Sequence, residues 1–555
     1  MKTLADLRRA LEQLDGASYG AYKRLRGAWR GDDVDVIIDR VQGDPFATPS
    51  VVCVRVAAPE YGGHETAPGP ARVALCDLLT RRFAAHVRGS ARSGSGRSGD
   101  VSIDVGGPAM LARSACDFVD GALELRLRVG LPARGRRILG RAAASLLVDH
   151  LPRAAAAMRA SDIERSDRDA WREAALEHAA LREQLRERGL VAFVADGSIL
   201  PRRSGASLDP LPGAVPFEAP ASLAVELDGL HGPIRGLGIR CGITVITGAG
   251  FHGKSTLLQA LAAGVYPHIP GDGRTLVVTE AGAMKVRSED GRSVRNVDLR
   301  PFIQDLPGDR SIASFETDDA SGSTSLAASI VESIGAGATT LLLDEDTCAT
   351  NLLVRDARMQ ALLQRDTIVP LVDRVQTMHR ERGISTVIVV GGSGDYLDVA
   401  DTVISMDDYR ARDTTDDARA LCVRMPTTRT TPPAPTSWGD SSQVIQARSV
   451  GPRRDGKGRA KVRAMGLRDL RYGDETLQLD GLEQLVDPSQ VRTLGALLPW
   501  ISEHGDAPVR DLAAQAVDAS SRMGLYALEG APELAAVRPL DLAAAIHRLR
   551  SLRPA

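Results

Sequence analysis

The sequence predicts an α/β protein built on a parallel sheet, and three segments carry that reading. Ile243-Thr244-Val245-Ile246-Thr247, Leu341-Leu342-Leu343-Asp344 and Thr386-Val387-Ile388-Val389-Val390 are short apolar runs, as strands covered on both faces require. Helical patterns lie between them, so the chain crosses from strand to strand in βαβ fashion. With 555 residues the chain has room for three or four domains at about 150 residues each.

The N-terminal segment, residues 1–152, reads as an α+β domain. Leu4 to Leu14 has helical spacing and stops at Asp15-Gly16. Val34 to Asp39 and Val51 to Val56 read as strands, with a turn at Gly43-Asp44-Pro45 between them. Gly89 to Gly99 is a Gly/Ser/Arg-rich loop. Leu123 to Val129 alternates apolar and charged residues, the pattern of a half-exposed strand, and Gly140 to Leu151 is an Ala-rich helix. Residues 153–205 form a charged helical connector. The α/β core spans 206–425, a Thr/Pro/Ser-rich linker 426–450, and a basic segment with a mostly helical C-terminal region 451–555.

Composition excludes several classes. A formal charge of −2 gives the whole chain no field toward nucleic acid or membrane, so such binding needs a local patch. The six cysteines include no C-x-x-C pair, which argues against a zinc site of the usual kind and for scattered thiols in a reducing compartment. The first residues are amphipathic, without the apolar centre of a signal peptide. No apolar run reaches the ~18 residues of a membrane span. The expectation is a cytoplasmic protein with no membrane partner.

The chemistry starts at Gly248-Ala249-Gly250-Phe251-His252-Gly253-Lys254-Ser255-Thr256, which satisfies G-x-x-x-x-G-K-[ST] after a strand and before a helix. Glycines let the backbone curl so that its N–H groups face phosphate oxygens, and the helix start adds its positive dipole end. Lys254 can reach the β- and γ-phosphates, and Ser255 can ligate Mg²⁺. The second element is Asp344-Glu345 at a strand end, where Asp344 would hold Mg²⁺ mainly through water and Glu345 would polarise an attacking water. An ordinary acidic strand end is the alternative. The third is Asp319-Ala320-Ser321-Gly322-Ser323-Thr324-Ser325. Ser321 is a natural N-cap and the small residues permit close phosphate approach, although a plain helix cap has the same appearance.

These residues, with several long motifs outside the phosphate loop, resemble the ABC-class ATPase family. The resemblance runs through Asp15-Gly-x-x-Tyr19-x-x-Tyr22-Lys23, Val41-Gln42-Gly43-Asp44-Pro45-Phe46-Ala47, Val129-Gly130-Leu131-Pro132-Ala133 and Phe193 to Arg202. It continues in His268 to Arg274, Asp344 to Asn351, and Val486-Asp487-x-Ser489-Gln490, so it covers roughly residues 1–500. It implies an ABC-type nucleotide-binding core, Mg²⁺ and ATP as cofactors, and a head-to-tail homodimer. Gly248 to Thr256 would then bind nucleotide from one chain, and Ser321, Gly322 and Ser323 would face it from the other. Lys254 and Glu345 would be the catalytic pair, and Ser255 and Asp344 the metal ligands. Some relatives implied by the resemblance are linked to RNA. Two features depart from the ABC pattern. Ser321–Ser325 is not Leu-Ser-Gly-Gly-Gln, and Val390-Gly391-Gly392-Ser393-Gly394-Asp395 has no switch histidine, leaving Ser393 as a weaker donor. Gln304 is a candidate for the glutamine that follows the phosphate-loop helix in ABC proteins.

Two arginine-rich stretches suit phosphate contact. Arg92, Arg97, Arg134, Arg136 and Arg137 accompany Gly-rich turns. Arg453, Arg454, Lys457, Arg459, Lys461, Arg463, Arg468 and Arg471 follow the linker, offset by Asp455 and Asp469. Solvated surface arginines are the bland alternative for both. The expected function is ATP hydrolysis driving a dimer, coupled to RNA. A nucleotide-held conformational switch or protein-binding module with incidental hydrolysis is the second reading, favoured by the missing histidine. A small-molecule kinase is a third, which would not require the Ser-Gly helix start.

Overall fold

Alternating valine and isoleucine over Val34–Arg40 leave Val34, Val36 and Ile38 buried and their neighbours half-exposed, the pleat of a one-sided strand. Strands β1 (Gly27–Trp29), β2 (Val34–Arg40), β3 (Ser50–Val56), β4 (Val101–Ser102), β5 (Cys116–Val119) and β6 (Ala122–Val129) form one antiparallel sheet. Its order is β1-β2-β3-β6-β4, with β5 also paired to β6. The helices Leu4–Gln13 and Pro70–Val87 bury leucines in the same core. Thr3 and Asp6 close the first helix with a reciprocal capping box. The helix expected at Gly140–Leu151 winds as α over Gly140–Ala144, as π over Ser145–His150, and as α again over Leu151–Ala156. A small hairpin of β7 (Ala133–Arg134) and β8 (Arg137–Ile138) precedes it.

The computed structural model describes residues 2–88, 94–205, 207–306, 311–363, 366–430, 438, 443–454, 456, 458 and 460–555. Arg92, Lys457, Arg459, Asp455 and much of the linker lie outside them. The chain divides into two compact units. The first holds Met1–Leu176 together with Ser520–Ala536, and the second holds Glu177–Ala519 and Val537–Ala555. The short return segment is tied to the first unit by Arg128–Glu533, by the Tyr526 hydroxyl donating to Asp39 (2.7 Å), and by Ser114–Leu534 bonds in both directions. The sequence pattern does not show this return, because its ties link residues about four hundred positions apart.

The second unit has two main sheets. Strands β9 (Leu190–Ala195), β10 (Ala224–Gly229) and β11 (Gly232–Arg240) are antiparallel. The chain then enters β12 (Ile243–Thr247), which belongs to the other sheet, and returns as β13 (Val277–Thr279) to give the order β10-β11-β9-β13. Next come β14 (Ala283–Lys285) and a separate pair, β15 (Arg292–Val297) with β16 (Phe315–Ala320). The core sheet continues with β17 (Thr340–Asp344), β18 (Ser385–Val389), β19 (Thr402–Asp407) and β20 (Arg410–Asp413). Its order is β14-β17-β18-β12-β19-β20, parallel throughout except for the last antiparallel pair. β17 and β18 are buried at every position, as their apolar runs demand. This sheet is the α/β core that the sequence predicts.

Near the C-terminus, three short strands at Val462–Ala464, Asp469–Tyr472 and Glu475–Gln478 pack beside the helix Pro488–Ser502, which starts at an Asp487/Gln490 capping box. Helices dominate beyond it. Among the described residues no helix is long and apolar enough to cross a membrane.

Several family-like motifs serve the fold. Arg202 forks onto Asp272 (3.1 Å to each carboxylate oxygen), His268 Nδ1 lies 2.6 Å from the same carboxylate, and the Ile199 amide donates to Gly273 O. These bonds lock the Phe193–Arg202 stretch to His268–Arg274. Gln42 is buried and its amide bridges Asp44 O, the Ser50 amide and the Leu131 amide. Arg292 and Glu332 form an ion pair with both side chains buried. Removing one member leaves an uncompensated charge. Glu332→Ala is therefore expected to cost about 3–5 kcal/mol of unfolding free energy, read from urea denaturation followed by circular dichroism.

Candidate nucleotide site

β12 delivers the chain directly into the loop Gly248–Gly253, and the helix Lys254–Ala263 follows. The loop needs its glycines. Gly248 has φ +131° and an added Cβ would lie 2.2 Å from Met406 O; Gly253, the helix N-cap, has φ +97°. Phe251 adopts φ +65° at the crown and is fully exposed. The Lys254 ammonium donates to Gly248 O (2.7 Å) and Ala249 O (2.9 Å), which holds it inside the curl. Ser255 and Thr256 open the helix, half-buried.

β17 runs parallel to β12 with β18 between them, and Asp344 pairs with Val389 while Ile246 pairs with Val389 from the other side. Asp344 and Glu345 thus leave the sheet at the same edge as Gly248. Asp344 is buried, and one carboxylate oxygen accepts the Asp346 amide at 3.2 Å. Glu345 reaches across to the end of β18. Its Oε2 accepts the Gly391 and Gly392 amides (2.5 and 3.0 Å), and its Oε1 accepts the Ser393 hydroxyl (2.5 Å). Burial is the largest single influence and works to raise the Glu345 pKa, but the Ser393 hydroxyl and the loop amides together hold it below the ordinary carboxylate value.

Ser321 caps the helix Gly322–Gly335 by accepting the Thr324 amide, and its Oγ lies 3.0 Å from Thr324 Oγ1. Ser323 donates to Asn351 Oδ1 at 2.5 Å, and the Ala349 amide donates to Ser288 Oγ at 2.7 Å. The Ser-Gly helix start is therefore fastened through Ser323 to the short helix Thr350–Leu353 that follows β17. No hydrogen bond among the described residues joins 321–325 to 248–256. Gln304 is exposed, and its backbone N–H donates to Thr367 O. Phe217, the upstream aromatic, is buried, so its ring offers no open face.

One feature has no signature in the sequence. The turn between β19 and β20 clasps the phosphate loop: the Tyr409 amide donates to His252 O (3.1 Å), and the Asp408 amide donates to His252 Nδ1 (2.9 Å). Asp407 Oδ1 lies 3.1 Å from the same Nδ1.

A glycine loop between a strand and a helix, with an acidic strand end two strands away, defines a P-loop protein. Three family descriptions match along the chain: the P-loop domain of ABC ATPases over residues 165–439, the N-terminal domain of ABC-class ATPases over 4–160, and the MRB1590 C-terminal domain over 461–555. The chain belongs to the ABC-class ATPase family, with its distinctive N- and C-terminal domains. An uncharacterized protein of Methanocaldococcus jannaschii is 32% identical over 243 residues, covering 42% of this chain and 53% of that protein. The chain thus spans about half the length of that relative. Among solved structures, cbiO1 of Clostridium perfringens, part of an ABC transporter complex, has 13% identity and a TM-score of 0.25, covering 43% of this chain and 96% of its own. A bacterial Atm1-family ABC exporter with ATP bound has 14% identity and a TM-score of 0.24, covering 53% and 54%. At these scores neither likeness carries an argument.

The Glu345 clamp makes a pH prediction. A carboxyl held below its unfolded pKa adds stability above that unfolded value and loses it as pH falls through the folded one. Ser393→Ala removes one donor, so the Glu345 titration, followed by carbon NMR of labelled glutamate, should move upward in pH.

Proposed function

We propose that this chain binds Mg²⁺-ATP at Gly248–Thr256 and hydrolyses it as part of a homodimer. The observation that carries the reading is the alignment of the phosphate loop and the Asp344-Glu345 pair on one sheet edge. Backbone amides of Gly250–Lys254 and the helix start would hold the phosphates, with Lys254 exchanging its carbonyl partners for β- and γ-phosphate oxygens. Mg²⁺ fits the donors present: Ser255 and Asp344 are hard oxygen ligands, and few protein ligands are what this ion takes beside a triphosphate. When bound, it would neutralise charge on the phosphates. Glu345 would orient and deprotonate the attacking water once its oxygens leave the Gly391–Ser393 amides and hydroxyl. The reaction would break the bond between the γ-phosphorus and the oxygen bridging it to the β-phosphate, with water adding to the γ-phosphorus and ADP leaving.

Ser323 is held by Asn351, past the end of β17, and no hydrogen bond among the described residues joins Ser321, Gly322 or Ser323 to their own phosphate loop. This supports a role facing the nucleotide of a second copy, where the capped helix start would meet the γ-phosphate. Asn351 would position Ser323 for that contact. The domain limits proposed for the chain are 1–152, 153–205, 206–425, 426–450 and 451–555, and a cytoplasmic location accords with the reading.

RNA is the partner proposed for the basic C-terminal strands. Arg463 and Arg471 stand directly opposite each other, both exposed and without an ion-pair partner among the described residues. Like charges in register oppose pairing, and a phosphate backbone would relieve them. The nucleotide-switch alternative rests on Glu345, whose oxygens are already occupied by three donors.

The test is ATP turnover with Lys254→Ala and Glu345→Gln, with and without single-stranded RNA, at low and high salt. Glu345→Gln should lower kcat by about 10²–10⁴-fold and accumulate an ATP-dependent dimer in size-exclusion chromatography, while Lys254→Ala should lose binding. Turnover unchanged in Glu345→Gln would favour the switch. Arg463→Glu with Arg471→Glu should remove RNA stimulation and flatten its salt dependence, leaving basal turnover unchanged.

A further inference from the structure

An ATP site needs a surface for the base, and neither Phe217 nor Phe251 supplies one. Phe217 is buried, and Phe251 projects into solvent with its whole side chain exposed. Aromatics are scarce in this chain, with 8 Phe, 8 Tyr and 4 Trp. Phe193 and Tyr266 are buried as well. Tyr409 is different. Its ring packs on the loop at the residue before Lys254: a Cβ added to Gly253 would lie 2.8 Å from Tyr409 Cδ1 and 3.3 Å from Cε1. The side chain is half-buried, so one part of the ring is backed and another is open. Its hydroxyl has no hydrogen bond among the described residues.

The backbone adds a second, independent observation. Asp407 pairs with Arg410, so Asp408-Tyr409 is a two-residue turn, with φ +46° and +62°. Such a turn requires left-handed backbone at both positions and usually takes Asn-Gly or Asp-Gly. Tyrosine occupies the place where glycine would fit without strain. The turn is held there by the two amide bonds to His252. Backbone strain kept in place by a specific clasp points to a use for the side chain.

We propose that Tyr409 is the platform on which the base of the bound nucleotide stacks, which rests on nucleotide binding at Gly248–Thr256. A ring fixed beside Gly253 would flank a nucleotide whose phosphates the loop holds. Its backing against the loop keeps it from rotating away, an advantage Phe251 lacks. The platform is sequence-tolerant, because every base presents a π-face.

The experiment is calorimetric titration of the full chain with Mg²⁺-ATP and, separately, with Mg²⁺-tripolyphosphate, for the natural protein and for Tyr409→Ala, Tyr409→Phe and Tyr409→Trp. Tyr409→Ala should weaken ATP about tenfold and shift tripolyphosphate by less than about twofold. Tyr409→Phe should restore ATP affinity, and the indole of Tyr409→Trp should be quenched by ATP and not by tripolyphosphate. Equal weakening of both ligands by Tyr409→Ala would overturn the platform and make Tyr409 a brace of the loop. Unchanged affinity for both would also overturn it. Should Tyr409→Ala fail to fold, the Phe and Trp comparison decides alone: an indole blind to ATP rejects the platform. Failure of the natural protein to bind either ligand would overturn the nucleotide site itself, whereas tight binding of both with no effect of the substitution removes only the platform.

Discussion

Five parallel strands end at one edge, and everything proposed for the site depends on that constraint. Parallel neighbours keep their ends in step, about 4.8 Å apart. Ile246 and Asp344 each pair with Val389, so β12, β18 and β17 finish at one level. Gly248, Glu345 and Gly391 then emerge side by side, although they are far apart in sequence. An antiparallel order would have sent one of them to the other end of the sheet. The burial of β17 and β18 on both faces makes a register slip costly, since every residue would change its surroundings. Leu341, Leu342 and Leu343 thus set the position of Asp344 and Glu345 without belonging to the candidate site.

The same edge sets two requirements on Glu345 that pull against each other. Three donors at the end of β18 stabilise its charged form, as a base at neutral pH needs. They also occupy the oxygens that would take a proton from water. The short Ser393 side chain, standing where a switch histidine is usual, bonds to this carboxylate. Replacing the usual switch residue by serine therefore changes more than donor strength. It changes where the donor points, and it couples Glu345 to the conformation of Gly391-Gly392-Ser393. Movement of that loop is the step that would free the carboxylate.

The parts legible in the sequence are those set by local rules. Ile243–Thr247, Leu341–Asp344 and Thr386–Val390 read as strands because burial on both faces leaves an apolar run, and they lie within a residue of their observed positions. The phosphate loop reads from its glycines, since Gly248 and Gly253 occupy backbone that a side chain would crowd. The Ser321 cap reads from its hydroxyl followed by small residues. The antiparallel sheet of β9, β10, β11 and β13 does not read this way. β10 and β11 mix apolar and charged residues, and β13 joins from beyond the next crossover. The Glu345 clamp, the Tyr409 clasp and the return of Ser520–Ala536 to the first unit are likewise absent from any local pattern. Each is a contact between segments whose proximity is fixed only once the sheets have formed.

Arginine shows the same division within one residue type. The sequence presents the arginines as a uniform excess, and spacing alone does not separate those that hold the fold from those that face a ligand. Pairing does. Arg292 with Glu332, Arg548 with Glu289, Arg429 with Asp373 and Arg538 with Asp541 have nearly all of their side chains out of water and paired with carboxylates, Arg548 and Arg538 through two nitrogens each. Such arginines are committed, because breaking the pair strands a charge in the interior. Arg97, Arg134 and Arg136 in the first unit, and Arg463 and Arg471 in the second, are exposed and unpaired among the described residues. Their charge is unspent within the chain. A chain of near-zero net charge can therefore present local cationic faces, since its carboxylates are engaged elsewhere, and any polyanion would meet those faces and not the molecule's average.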